Sequence, residues 1–369
     1  MKKWLKALAV VVILVILVVF VKQNNKDREP QNDKPVVKIG VSLPLTGMGA
    51  DSGLSIKEGA VMALEEWKDK DTKFNYVLII EDDPFSQKPT SMVGNKLINL
   101  DKVNALTSVW NLSMYQYKEL VRKANIPYVA CSWGNDTHDG KLIFNNQTPH
   151  SEHVRSLVKV LKKYNAKTAA LVGALSNGDV VMHEYVENAL KDAGIDLVFK
   201  EVVHYGTNDY RILIQKMKQK NPDVVISMLM TSDLMSFTKQ FRSVDTVTPQ
   251  TTVDYFDMVD DKSLFEGMYF SKSSTGTDEY KDKLAKRIDY TVSDCMASAY
   301  DNINLLIHAF ENAKAEDGKV PTTEEVVKVL HTIKDWDGAI GKISAQEDGR
   351  FFSRSYVAKV ENGKVVIVE

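Results

Sequence analysis

Apolar positions along this chain fall into two kinds of run that alternate. Short continuous runs read as buried strands, and stretches in which apolar residues return every three or four positions read as helices with one covered face. The first unit is a strand at Val36 to Leu43, a Gly-punctuated loop at Pro44 to Gly53, and a helix whose Ile56, Ala60, Ala63, Leu64 and Trp67 share one side. The unit returns as strand Tyr76 to Glu81 with helix Thr90 to Leu100, strand Val103 to Val109 with helix Tyr115 to Ala124, and strand Pro127 to Ala130. After Pro149 a second series runs helix Ser151 to Tyr164, strand Thr168 to Val172, helix Met182 to Ala193, strand Leu197 to Val203, helix Tyr210 to Lys220, strand Val224 to Met228, helix Leu234 to Val244 and strand Gln250 to Val253. Alternation at this spacing predicts right-handed βαβ crossovers and parallel sheets. Asn125 and Gly194 occupy matching places in the two series, where a left-handed residue stops a helix. The expected fold is α/β, with two similar lobes in tandem.

The tail breaks the alternation. Asp294 to Ala313 reads as a long helix, Thr322 and Glu325 as a capping box for helix Thr323 to Ile333, and Asn362-Gly363 as the turn of a hairpin. A helical stretch followed by a hairpin, after two finished series, predicts that the chain returns to the first lobe and then to the second. The expected division is 36–148 plus 274–339 for lobe 1 and 149–273 plus 340–369 for lobe 2, with several crossings making a hinge.

Ahead of this body, Lys2, Lys3 and Lys6 precede an apolar run from Ala7 to Val21, and a polar linker follows over 23–35. The run holds 15 uncharged residues, short of the roughly 20 that a spanning helix wants, although flanking lysines can snorkel to the headgroups. Signal cleavage needs small residues just behind the apolar core, and Val19, Phe20, Val21 and Lys22 stand there instead. The expectation is an uncleaved anchor over 1–22 with its N-terminus inside, a cleaved export signal being the alternative; either places the body outside the membrane.

Composition narrows the function. The 47 basic and 49 acidic residues are interspersed for a formal charge of −2, which leaves no basic field for nucleic acid. Cys131 and Cys295 are too few for a disulfide framework and are expected to be two buried thiols, with a single bridge as the alternative. His150 and His153 lie three apart at a helix start but lack a third metal ligand at useful spacing, so a surface pair is expected and no metal. No nucleophile elbow is present and neither Cys has a His nearby in sequence, so neither catalysis nor a cofactor is expected.

Ligands of open parallel sheets bind outside the carboxyl ends of the strands. The first such loop, Leu45 to Gly53, contains Met48 and has glycines that let backbone approach a ligand, without the Lys-Ser/Thr ending of a nucleotide loop. The next two, with Trp110, Asn111 and Ser113 and with Ser132 and Trp133, each offer an aromatic wall beside hydroxyl or amide groups. In the second series Met230 and the run Asp254-Tyr255-Phe256 end strands, and Asp254 suits a ligand ammonium. Asp82-Asp83, next to Pro84, is expected to shape a turn.

Lys38-Ile-Gly-Val-Ser-Leu-Pro-Leu-Thr-Gly47, then Gly53 with Gly59-Ala60, Asp82-Asp83-Pro84, Asp209-Tyr210, Asn221-Pro222-Asp223 and Arg242-Ser243 come in an order that resembles the branched-chain amino-acid type of periplasmic binding protein. The resemblance runs from about Val36 to the C-terminus. It implies a type I fold of two Rossmann-like lobes joined by three crossings, with ligand carboxylate and α-amino group at Asn111 to Ser113 and Ser132 to Gly134 and an acidic partner at Asp254. The chain departs from that pattern where a Thr is expected near Gly134 and a Tyr near Gly178, and it lacks the usual Cys pair of the first lobe. The implied function is an extracytoplasmic solute-binding protein that delivers a small polar, amino-acid-like solute to the transmembrane subunits of an ABC permease. A receptor of the same fold acting through a separate signalling partner is the alternative. Mass spectrometry of membrane-extracted protein is expected to find a peptide crossing Val21 and Lys22; a mature start between Lys22 and Pro35 would show cleavage.

Overall fold

The structure, a computed structural model, describes residues 34–47, 49–174, 177–229, 231–253, 259, 261–290, 292–293, 295–351 and 354–369, with the side chains of 177–181 and 231 left out. The expected anchor lies outside these residues. Among the described residues no helix is long and apolar enough to cross a membrane.

The first half runs β1 (Val36–Leu43), α1 (Ala50–Lys68), β2 (Asn75–Asp82), α2 (Gln87–Asn95, closed by a π-helical turn at Lys96–Leu100), β3 (Ala105–Val109), α3 (Asn111–Ala124), β4 (Tyr128–Cys131) and β5 (Ile143–Asn145). These strands form a five-stranded sheet in the order β2-β1-β3-β4-β5, with every pairing parallel. Then come α4 (His150–Lys163), β6 (Thr168–Ala174), α5 (Asn177–Asp192), β7 (Asp196–Val203), α6 (Arg211–Lys218), β8 (Val224–Met228), α7 (Thr231–Val244) and β9 (Gln250–Thr251), which make a parallel sheet ordered β7-β6-β8-β9. The remainder is β10 (Tyr269–Lys272), α8 (Asp278–Ala285), α9 (Met296–Asn312), α10 (Thr323–Thr332), β11 (Trp336–Gly338), β12 (Gly341–Ile343), β13 (Tyr356–Glu361) and β14 (Lys364–Ile367).

Alternation explains why the strands are covered on both faces. Val37, Ile39, Val41 and Leu43 of β1 enter a core shared with α1, α9 and α10, while the opposite face of the sheet is covered through Leu97, Leu106, Tyr117 and Tyr128. In β6, Ala170, Val172 and Ala174 join Phe237 and Phe241 on one side, and Ala169 and Leu171 join Leu157 and Leu190 on the other. Each such large side chain contributes about 1.5–3 kcal/mol by leaving water. Ile340, Ile343 and Phe351 pack into the core of the first sheet, beyond the boundary expected at 339.

The chain passes between the two sheets after β5, after β10 and again after Phe351. The passages touch one another through Thr148 Oγ1, which donates to the Arg354 carbonyl at 3.5 Å, and through the Ser271 and Ser355 hydroxyls, 3.0 Å apart. Polar groups of α9 fasten the first passage and the β11–β12 turn. Asn302 accepts from Asn146 Nδ2 at 3.1 Å and donates to Thr107 Oγ1 at 3.1 Å. Asp301 accepts from the Ala339 and Ile340 amides at 2.7 and 2.8 Å; burial pushes its carboxyl up to about 7, against the pull of those two donors.

Three short elements escape a reading by periodicity: β5, β10 and the β11–β12 hairpin each have strands of only three or four residues. Helix α3 also starts at Asn111, four residues ahead of the Tyr115 expected, because Trp110 turns the chain with a φ of 67°. The cysteines correct the expectation of free thiols. Cys131 at the end of β4 and Cys295 before α9 form a disulfide with Cα atoms 5.8 Å apart, across 164 residues of sequence. Nothing local in the sequence announces that approach, since the packing of α9 on β4 creates it. Replacing both with Ser is expected to lower stability by about 3–5 kcal/mol in denaturant titrations, given the length of the closed loop. A loss under about 1 kcal/mol would show that α9 alone holds this corner.

Candidate ligand-binding site

The carboxyl ends of β1 to β4 lie along one edge of the first sheet, and two adjacent carboxylates organise it. Asp82 accepts from the Leu45 and Thr46 amides at 2.8 and 3.0 Å and from the Thr46 hydroxyl, which ties the loop after β1 to the end of β2. Burial raises its pKa, but these donors together hold the carboxyl below its usual range. Asp83 is 1% exposed and accepts from Ser42 Oγ (3.0 Å), Thr90 Oγ1 (2.6 Å), Ser113 Oγ (2.7 Å), the Tyr117 hydroxyl (3.0 Å) and the Phe85 amide (3.0 Å).

Above this hub stand two aromatic residues with left-handed backbones, Phe85 at φ 57° and Trp110 at φ 67°. Bulky side chains adopt that region only when surrounding contacts compensate, and such strain concentrates at functional positions. Their rings meet edge to face with centroids 4.6 Å apart. Gly49 lies under the indole: a Cβ there would come within 2.6 Å of the Trp110 ring, and its φ of 108° also favours glycine. The loop after β1 is therefore closed by an aromatic wall from the two neighbouring strand ends.

Asn111 opens α3 and links that wall to the loop after β4. Its Oδ1 accepts from Ser132 Oγ at 2.7 Å, the Trp133 amide at 2.9 Å and the Gly134 amide at 3.2 Å. Asn145 braces the same loop from β5, accepting from the Ser132 amide at 2.9 Å and donating to its carbonyl at 2.6 Å. Gly134 has no room for a side chain, because a Cβ would lie 2.5 Å from the Thr137 methyl.

Of the residues expected from the sequence, Trp110, Asn111, Ser132 and Trp133 thus come together at one rim. Ser113 is turned away, its hydroxyl committed to Asp83. Met48, Met230, Asp254 and Tyr255 lie outside the described residues. Sequence reasoning missed Phe85 and Asn145 and placed Asp83 in a turn; the Asp-Asp-Pro run was the available signal.

The histidines are a second correction. His150 and His153 are 5% and 1% exposed, not a surface pair. The covered face of α4 takes both rings inward, His153 Nδ1 lying 3.3 Å from Ser271 Oγ. His150 donates its amide to the Trp133 carbonyl at 2.9 Å, its ring lies 6.0 Å from that of Tyr185, and its Nδ1 has no hydrogen-bond partner. Burial, reinforced by His153, pushes the imidazole down to about 3 against the opposing pull of Asp136. Among the described residues no group of three His, Cys, Asp or Glu side chains is placed to hold a metal.

Residues 36–364 match the periplasmic binding protein family, and the chain belongs to it. The fold is that of solved type I binding proteins. It is similar to the branched-chain amino-acid transporter substrate-binding protein LivJ of Streptococcus pneumoniae, determined with isoleucine, at 19% identity over 90% of this chain and 99% of that one, TM-score 0.76. The leucine-binding protein LivK of Thermotoga maritima gives 19% identity, 90% and 98% coverage, and TM-score 0.75. A solute-binding protein of an ABC transporter from R. palustris, in complex with benzoate, gives 15% identity, 90% and 95% coverage, and TM-score 0.76. The family to which the chain belongs is one of binding proteins.

Burial of His150 next to Trp133 makes the rim acid-sensitive. Its folded pKa lies below the unfolded value, so the unfolded chain takes up a proton first as pH falls; the stability present above about 6.5 is lost progressively toward 3. The full loss is on the order of 4–5 kcal/mol. Denaturant melts of wild type and His150→Gln between pH 7 and 4 are expected to show a clearly shallower pH slope in the variant; equal slopes would place the acid sensitivity elsewhere.

Proposed function

We propose that the chain is an extracytoplasmic binding protein that closes on a small polar, amine-bearing solute of amino-acid size and presents it to the transmembrane subunits of an ABC permease. The solute lies between a lobe built on β1–β5 and one built on β6–β9, and the segment over 1–22 tethers the body to the membrane. The observation that carries this reading is the rim of the first sheet: glycine-lined loop, aromatic wall and braced amide loop converge where an open parallel sheet binds ligands. Membership of the family supports the binding role, and relatives determined with isoleucine and with benzoate set the scale of the solute. The three passages between the sheets are the hinge about which closure occurs. In this reading Asp254 receives the ammonium, with Tyr255, Met230 and Met48 as further ligand-binding residues. The solute is carried unchanged and no cofactor takes part.

A thermal-shift screen against amines, amides, amino acids and small acids identifies the solute, since ligand at a hundred times its Kd stabilises by about 2.7 kcal/mol. Asp254→Asn is then expected to weaken an amine ligand by roughly thirtyfold or more while leaving the Tm of the free protein nearly unchanged. Calorimetry of both proteins against the same ligand decides it. Equal affinity would remove Asp254 from the site, and an unfolded variant would give it a structural role.

A further inference from the structure

We propose that Asn111 decides which end of the solute this rim accepts. Its carboxamide oxygen fills the three-donor pocket of the β4 loop as an internal stand-in for a solute carboxylate, so the protein selects amine-bearing solutes with no carboxylate at that end. The inference rests on the reading that this rim receives the solute.

A hydroxyl and two consecutive backbone amides, from Ser132, Trp133 and Gly134, converge on one oxygen within 2.7–3.2 Å. That set suits a carboxylate oxygen at least as well as a neutral carbonyl, because charge-assisted hydrogen bonds are the stronger ones. Neither side of the contact has slack. The loop is clamped through Ser132 by Asn145, through the Gly134 carbonyl by Thr137 Oγ1 at 2.8 Å, and through Cys131 by the disulfide. Asn111 is the first residue of α3, and the Trp110 amide before it donates to the Cys131 carbonyl at 2.7 Å. An incoming carboxylate therefore competes with an acceptor that is already in place, at the effective concentration of a group on the same chain. It would also leave the Asn111 oxygen without its donors. A solute that meets the rim with an uncharged face against Trp110 incurs neither cost.

The test is chemical rescue of the full-length chain. Asn111→Ala frees the three donors and is expected to lower Tm by about 3 °C or more. Acetate should recover most of that loss in the variant, acetamide less, and acetate should leave wild type unmoved. Acetate that shifts the variant no more than wild type would show that the pocket takes no anion, and acetate that stabilises wild type equally would show that Asn111 gives way. Either outcome overturns the proposal. Should Asn111→Ala fail to fold, Asn111→Asp places the carboxylate internally. It is expected to be at least as stable as wild type at pH 7 and to lose that standing below about pH 4, where the carboxylate takes up a proton. A variant less stable at pH 7 than at pH 3.5, relative to wild type, contradicts the anion-competent pocket. Leucine bound tenfold or more tightly than leucinamide by wild type likewise overturns the selectivity. The acetate result concerns the loop alone, so it separates a failure of the anion-competent pocket from a failure of the proposed function, which the solute screen tests.

Discussion

Removing a carboxylate from water costs several kcal/mol unless donors replace its hydration shell, and the rim of the first sheet depends on how Asp83 meets that demand. Its five donors come from β1, from the turn after β2, from α2 and from α3. Each donor is thereby held at a fixed distance from the same point, so the ends of two strands and two helices cannot drift independently. The strained backbones of Phe85 and Trp110 rest on this arrangement, since Phe85 is two residues from the carboxylate and Ser113 is three residues past Trp110.

The same logic extends sideways. Asn111 and Asn145 bracket the loop after β4, and the disulfide fixes the end of β4 to the start of α9. Helix α9, buried along most of its length, then uses Asn302 to reach both β3 and the first passage toward the second sheet. The carboxyl-end edge of the first sheet is thus preorganised by polar contacts, which would lower the ordering cost of any ligand bound there.

Solved structures at 15–19% identity share the fold, and the contacts along the rim of the first sheet are made by this chain's own side chains. The rim joins an aromatic wall to an amide loop whose three donors converge on the Asn111 side-chain oxygen.

The α/β alternation, the parallel sheets and the Asn362-Gly363 hairpin follow from the chain alone, because they depend on periodicity and on residues that tolerate positive φ; Asn362 and Gly363 stand at 53° and 68°. The loops holding Trp110 and Ser132 were legible too, since the carboxyl ends of parallel strands share one edge whatever the side chains are. Tertiary structure alone decided that Cys131 meets Cys295, that His150 is buried, that Ser113 serves Asp83, and that Asn111 fills the donors of the next loop. Each of these is a contact between residues distant in sequence or a choice of which way a side chain turns. Local pattern carries no information on either, because the partner becomes a neighbour only after the strands and helices have packed.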